Sequence, residues 1–138
     1  MPEASMGAAK TERTTRRVYT VLVADDDEQV RTLVWEILAM DGFRVLPARN
    51  GHEALEVIGR HGDGIDLLLA DVVMPRLGGR DLAKRATVLL PHLRVLFISG
   101  YGDNLDFRDI FPEAKVIEKP FQAEQLVGAV RAEVKRRG

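Results

Sequence analysis

Three adjacent carboxylates, those of Asp25, Asp26 and Asp27, come directly after the apolar run "VYTVLVA". A second apolar run ends in the same way, because "LLLA" leads into Asp71. Carboxylates repel one another, and removing them from water near a protein core costs free energy. These acids therefore either cap a helix and a turn, or lie around a positive charge.

Two further polar groups follow apolar runs. Ser99 ends "RVLFIS", and Lys119 comes directly after "KVIE". In an open α/β sheet, ligands bind beyond the carboxyl ends of the strands, at the point where the strand order reverses. Neighbouring strands lie about 4.8 Å apart. We therefore expect Asp25, Asp26 and Asp71 to converge in one shallow pocket, with Ser99 and Lys119 added from two further strands.

A pocket of this kind has the groups needed for phosphoryl transfer. Three carboxylates suit a hard divalent cation, for which Mg²⁺ keeping several waters is the best match. Such an ion explains how the acids can coexist. An aspartate beside Mg²⁺ and a lysine can attack phosphorus and form an acyl phosphate, while Lys119 and the ion neutralise the phosphoryl charge. Ser99 could donate a hydrogen bond to a phosphoryl oxygen.

Short apolar runs alternate with amphipathic segments along the chain. Strands are predicted at 18–24, 43–48, 65–70, 94–99 and 115–118. Five helices are predicted: one over 27–40, one that follows a cap at Asn50, one between 82 and 90, one within 103–111 and one over 122–136. The last helix is predicted to bury Ala123, Leu126, Val127, Val130 and Val134. This alternation indicates parallel βαβ units. The predicted fold is a doubly wound, flavodoxin-like α/β domain, with a five-stranded parallel sheet in the order 2-1-3-4-5 and helices on both faces.

Composition narrows the class of protein. The 138 residues fit one domain, which we place at 18–138 after a polar, disordered tail over 1–17. The 20 Lys and Arg against 21 Asp and Glu do not indicate nucleic acid as a partner. There are no cysteines, which excludes disulfides and a Cys nucleophile. No apolar run could span a bilayer. We expect a cytoplasmic protein without a membrane partner.

Four motifs carry a family resemblance: "ADD", "DVVMP", "ISG" and "EKPF", in this order. Together they resemble the receiver domain of two-component response regulators, of the chemotaxis-regulator-like, stand-alone type, over about 18–136. The resemblance implies that Asp71 is the phosphoacceptor. It implies that Asp25, Asp26 and Asp71 bind Mg²⁺ together with the backbone carbonyl of Val73.

The resemblance also assigns roles beyond the acids. Lys119 would contact the phosphoryl group, Ser99 would be the switch hydroxyl, and Pro120 would follow a cis peptide. Asp27 has no such role, and we interpret it as the cap of the first helix.

Two features depart from the family pattern. The family usually has Phe or Tyr three residues before the lysine, as a ring that turns inward when the hydroxyl moves, and this position is Val116. Tyr101 could serve instead, from a different starting place. The stretch from Ser99 to Lys119 is also slightly short, which predicts a small helix there.

The resulting prediction is a phosphoacceptor that signals through protein contacts. A histidine kinase or histidine phosphotransfer protein would supply the phosphoryl group, and the surface formed by the predicted 103–111 helix, the fifth strand and the last helix would respond. We expect a monomer or a weak, phosphorylation-dependent dimer with a protein as its downstream target. We do not expect an enzyme, although the domain would catalyse its own phosphorylation and dephosphorylation.

Two alternatives belong to other functional classes. Val116 and the short 103–111 helix favour a receiver-like scaffold that binds partners without phosphorylation. A phosphatase of the haloacid-dehalogenase type also uses an Asp nucleophile on an α/β fold. Those enzymes carry a second acid two residues after the nucleophile, and here that residue is Val73, which cannot transfer a proton.

Overall fold

The computed structural model describes residues 17–100 and 115–135. Its strands are β1 Thr20–Ala24, β2 Arg44–Ala48, β3 Leu67–Asp71, β4 Arg94–Ser99 and β5 Lys115–Glu118. Its helices are α1 Glu28–Met40, α2 Gly51–His61, α3 Gly79–Leu89 and α4 Ala123–Lys135, and a 3₁₀ turn covers Gly62–Gly64. The predicted tail, apart from Arg17, and the predicted helix within 103–111 lie outside the described residues.

All five strands are parallel and form one sheet in the order β2-β1-β3-β4-β5. This is the predicted order, and the fold prediction is confirmed. The order reverses between β1 and β3, whose side chains are buried at every position. Ala24 of β1 lies level with Ala48 of β2 and with Ala70 of β3. Consequently, the residues that follow β1 and end β3 meet at the carboxyl edge of the sheet.

Apolar side chains alternate between the two faces of the sheet, as the period of a strand requires. Leu22 points to the face covered by α2 and α3, and Val21 points to the face covered by α1 and α4. The same alternation places Phe97 on the first face and Ile98 on the second. Helices on both faces were predicted, and this prediction is confirmed, because each face of the sheet packs against buried apolar side chains of two helices.

The last helix differs in detail from its prediction. Leu126 and Val130 are buried as expected, and Val127 and Val134 are partly buried. Ala123 was predicted to be buried and is exposed. This prediction was wrong because Ala123 is the first residue of α4, and the helix reaches the sheet only about one turn later. In residues 17–100 and 115–135, no helix is long and apolar enough to cross a membrane.

Candidate metal and nucleophile site

The acids that follow β1 and end β3 form a compact cluster. Asp25 is fully buried, Asp71 is 5% exposed, and Asp26 is exposed. One carboxylate oxygen from each of Asp25, Asp26 and Asp71 lies within 4.8 Å of the other two. The structure therefore brings together the three carboxylates that the strand ends predicted.

Lys119 reaches the same cluster from the end of β5. Its Nζ lies 3.1 Å from Asp71 Oδ2 and 3.5 Å from Asp25 Oδ2. Its backbone N–H donates to the carbonyl of Ser99 at 2.8 Å, which continues the pairing of β4 with β5 by one residue. The peptide between Lys119 and Pro120 is cis, as the resemblance implied.

The two buried carboxylates are held in matching ways. The N–H of Asp27 donates to Asp25 Oδ1 at 2.9 Å, and the N–H of Val73 donates to Asp71 Oδ1 at 3.2 Å. In both cases the donor is two residues further along the chain, which is the Asx-turn arrangement. One oxygen of each acid is thus fixed by its own loop. The other oxygen faces Lys119.

Asp27 itself caps the following helix, as predicted. Its Oδ1 accepts hydrogen bonds from the backbone N–H groups of Gln29 at 2.9 Å and Val30 at 3.3 Å. Such a cap satisfies N–H groups that have no partner inside the helix. The alternative that acids here cap a helix therefore holds for Asp27. It does not account for Asp25 and Asp26.

The electrostatics of the cluster favour an added cation. Burial raises the pKa of Asp25 to about 6, the Asp71 charge adds to the rise, and the Asp27 N–H and Lys119 oppose it. Burial works against the charged form of Lys119, yet its hydrogen bond to Asp71 and the charges of Asp25 and Asp71 raise its pKa overall. Among the described side chains, the Lys119 ammonium contacts two of the three carboxylates of the cluster. The cluster that these residues form is therefore under-neutralised.

The donor atoms fit a hard divalent cation. Asp25 Oδ2 is buried and accepts no hydrogen bond from the residues that the structure describes, and its contact with Lys119 Nζ is a longer ion pair of 3.5 Å. Buried carboxylate oxygens normally have such partners, and a bound cation would satisfy this one. Asp26 offers a second oxygen at the solvent side of the cluster. The acidic pocket could therefore bind a metal ion. Its identity as Mg²⁺ and the role of the Val73 carbonyl stay predictions.

Of the remaining predicted site residues, the structure describes Ser99 and Val116. Ser99 is the last residue of β4, is 2% exposed, and its Oγ donates to the Gly100 carbonyl at 3.2 Å. Val116 lies opposite Phe97 in the β4–β5 pairing and packs, partly buried, against the core. Tyr101 lies outside the described residues. The switch roles of Ser99, Tyr101 and Val116 stay predictions.

Sequence reasoning missed two residues that shape the site. A Cβ added to Gly79, at the start of α3, would lie 2.2 Å from the carbonyl oxygen of Asp71. Arg31 donates from Nη1 to the carbonyl oxygen of Asp25 at 2.8 Å. The only sequence signal for Arg31 is its position near the N-terminus of a helix, where the helix macrodipole disfavours a positive charge.

The sequence profile described as the response regulator receiver domain matches residues 21–131. The chain belongs to this family. It is 36% identical over 113 residues to the response regulator receiver protein CpdR of Brucella abortus, covering 80% of this chain and 92% of CpdR. It is 33% identical over 114 residues to the sensor kinase CckA of the same organism, covering 81% of this chain and only 12% of CckA.

Solved structures agree with this assignment. A response regulator receiver domain from Clostridium thermocellum superimposes with a TM-score of 0.79 at 29% identity, covering 86% of this chain and 96% of that one. The matched region includes Lys119 and the three acids of the cluster, Asp25, Asp26 and Asp71. The predicted receiver is therefore confirmed as a domain of two-component systems, and the haloacid-dehalogenase alternative no longer has support.

Proposed function

We propose that this receiver accepts a phosphoryl group on Asp71 in a Mg²⁺-dependent reaction and signals through protein contacts. The observation that carries the proposal is the position of Lys119. Its Nζ lies 3.1 Å from Asp71 Oδ2, beside two further carboxylates. A nucleophilic carboxylate, a fixed cation and an under-neutralised set of oxygen ligands are the parts that phosphoryl transfer to aspartate needs.

The chemistry assigns one role to each side chain. A carboxylate oxygen of Asp71 attacks phosphorus, and a new O–P bond forms while the P–N bond to the donor breaks. The donor nitrogen keeps the electron pair of that bond and takes a proton. Lys119 neutralises charge on the phosphoryl oxygens, and Ser99 donates a hydrogen bond to one of them.

Asp25 and Asp26 would hold Mg²⁺ beside Asp71, with the Val73 carbonyl as a further ligand. Bound Mg²⁺ supplies neutralisation and orientation of the transferring phosphoryl group. The fixed Oδ1 of Asp25, held by the Asp27 N–H, leaves Oδ2 as the oxygen available for the ion.

The donor in this proposal is a histidine kinase or a histidine phosphotransfer protein. Support comes from the similar proteins, since one is named a sensor kinase and another a response regulator receiver protein. The downstream target is a protein, and the receiver acts as a monomer or a weak, phosphorylation-dependent dimer. It is a cytoplasmic signalling protein rather than an enzyme, and it binds no nucleic acid itself.

A phosphorylation-independent scaffold is the second candidate. Val116 is the observation that favours it, because an aliphatic side chain packed against the core lies where the family has its mobile ring. Asp71→Asn separates the two candidates. A scaffold would bind its partner equally well with either residue, whereas a phosphoacceptor would lose its response to the donor.

The test is the intact mass of the protein after incubation with Mg²⁺ and phosphoramidate. We expect one phosphoryl adduct, which is lost in EDTA and in Asp71→Asn. Asp66→Asn is the matched control, because Asp66 lies at the opposite end of the same strand, and it should keep the adduct. The absence of an adduct from the wild type with any small donor would refute the phosphoacceptor function.

A further inference from the structure

Asp25 is held at its backbone as well as at its side chain. It lies one residue beyond β1, and its N–H donates to the carbonyl of Ala48 at the end of β2, at 3.2 Å. Its carbonyl oxygen accepts from Nη1 of Arg31 at 2.8 Å, in a partly buried contact. Because Asp25 is fully buried, this carbonyl needs a donor. Arg31 supplies one from the end of the first turn of α1.

The carbonyl that Arg31 holds belongs to the peptide between Asp25 and Asp26. The orientation of this peptide determines where the exposed carboxylate of Asp26 points relative to that of Asp71. Among the described restraints, the Asp27 N–H fixes the side chain of Asp25, and Arg31 fixes this peptide. A hydrogen bond from a charged guanidinium is shorter and stronger than one from a neutral donor.

Arg31 acts through the backbone rather than on the carboxylate. Its described hydrogen bond goes to the carbonyl oxygen of Asp25 and not to a carboxylate oxygen of the cluster. We infer that Arg31 is a positioning residue that holds the Asp25–Asp26 peptide so that both carboxylates can bind one divalent cation with Asp71. The inference rests on the proposed function, whose metal site it deepens.

Loss of such a residue weakens metal binding without changing the chemistry at Asp71. Groups that orient metal ligands commonly contribute about 10–100-fold to metal affinity. For Arg31→Met we therefore expect the Kd for Mg²⁺ to rise about tenfold, with a similar rise in the Mg²⁺ concentration that half-saturates phosphorylation. The phosphorylation rate at saturating Mg²⁺ should stay close to that of the wild type, because Arg31 touches no reacting atom.

Arg49→Met is the matched control. Arg49 is a cation at the same end of the sheet, is bound to Glu53 at 3.4 Å, and has no contact with Asp25 among the described bonds. Its loss removes the same charge, so we expect a Kd for Mg²⁺ within about twofold of the wild type, as for surface charges that act weakly. Arg31→Lys, which keeps the charge and one donor, should lie between wild type and Arg31→Met.

The measurements are titration calorimetry with Mg²⁺ alone and the initial rate of adduct formation from phosphoramidate over a range of Mg²⁺ concentrations. Equal Kd values for Arg31→Met and Arg49→Met would overturn the inference, and so would a loss of saturating rate at unchanged Kd. If Arg31→Met does not fold, Arg31→Gln replaces it with the same expected result. A wild type that binds Mg²⁺ yet forms no adduct would overturn the proposed function alone.

Discussion

The two ends of the sheet hold their acidic side chains in different ways. At the amino end, Asp66 and Asp41 each pair with an arginine of their own. Asp66 binds Arg17 and also accepts from the Thr20 N–H at 2.8 Å. Asp41, after α1, accepts from Arg131 Nε at 2.7 Å, and its carbonyl accepts from the same guanidinium at 2.9 Å.

At the carboxyl end, Glu53 also has its own arginine, Arg49, but the three acids of the cluster have one lysine between them. Asp25, Asp26 and Asp71 converge within 4.8 Å, and Lys119 contacts two of them. The backbone at this end is also strained, because Arg76, in the loop after β3, has a φ of +67°, which is unfavourable for a residue with a Cβ. At the amino end, the positive φ values among the described residues belong to Gly42 and Gly62.

This difference separates structural charges from functional ones. A one-to-one ion pair satisfies both partners inside the protein and needs nothing from outside. A buried carboxylate without enough positive charge destabilises the fold until a cation binds. Proteins commonly accept such local costs where a ligand has to bind. Binding a cation or neutralising an acid at the carboxyl end should therefore raise the free energy of unfolding. Neutralising a paired acid at the amino end should lower it.

Gly79→Ala is expected to have the largest effect on stability. Its Cβ would lie 2.2 Å from the backbone oxygen of Asp71, which no flexible side chain can relieve. We expect a loss of about 3 kcal/mol in the free energy of unfolding, at the upper end for overpacked sites. Gly59→Ala, in α2 with open space around its Cβ, should instead gain about 0.5–1 kcal/mol. Urea unfolding in EDTA measures both, and equal effects would contradict the close approach.

Asp25→Asn tests the sign of the charge effect directly. In EDTA at pH 8 the ionised Asp25 is buried with a pKa raised to about 6, so its neutral replacement should stabilise the fold. A rise of about two pKa units corresponds to roughly 3 kcal/mol, and we expect about 2 kcal/mol of this to appear as increased stability. Mg²⁺ should then stabilise the wild type and leave the variant nearly unchanged.

The matched substitution at the amino end is Asp41→Asn. Because Asp41 and Arg131 are partly exposed, losing their ion pair should lower the free energy of unfolding by only about 0.5–1 kcal/mol. Urea unfolding of both variants in EDTA gives the comparison. A destabilised Asp25→Asn would show that the Asp25 charge is already satisfied by Lys119.

The stability difference between Asp25→Asn and the wild type should also depend on pH. The folded pKa of Asp25 is raised from 3.8 to about 6, so the folded state binds its proton more tightly than the unfolded state. The contribution of Asp25 is therefore favourable at low pH and is lost as the pH rises through about 6. In EDTA, the advantage of Asp25→Asn should shrink by about 1.5 kcal/mol between pH 8 and pH 5. A difference that is constant over this range would place the pKa of Asp25 near its ordinary value.

The sequence predicted the strands and the acid cluster because both depend on local signals. The strands are short apolar runs, and Asp25 and Asp71 stand at their ends. Parallel strands align their carboxyl ends, so the convergence of these acids follows from topology alone. The cap at Asp27 follows from the preferences of the first helical turn.

The remaining features depend on how the elements pack. The contact of Arg31 with Asp25 requires the angle at which α1 leaves β1 and one particular rotamer. The close approach at Gly79 depends on how far the loop brings α3 toward β3. Ala123 is exposed because the last helix reaches the sheet only about one turn after its first residue, and Glu133 is buried in the same helix although it is charged. Such features appear only when the side chains are in place.

Arg76→Gly should give the smallest effect and tests the backbone part of the comparison. Left-handed φ costs a residue with a Cβ about 1 kcal/mol, while glycine adds flexibility to the unfolded chain, so we expect a net gain of about 0.5 kcal/mol. Gly42→Ala, at φ +94° with open space around the Cβ, should lose about 1 kcal/mol. Opposite signs in urea unfolding would locate the strain at the carboxyl end. If Arg76→Gly is more stable but is phosphorylated more slowly, the strain keeps the loop after Asp71 in its reactive arrangement. An unchanged phosphorylation rate would mean that the strain has no role in the site.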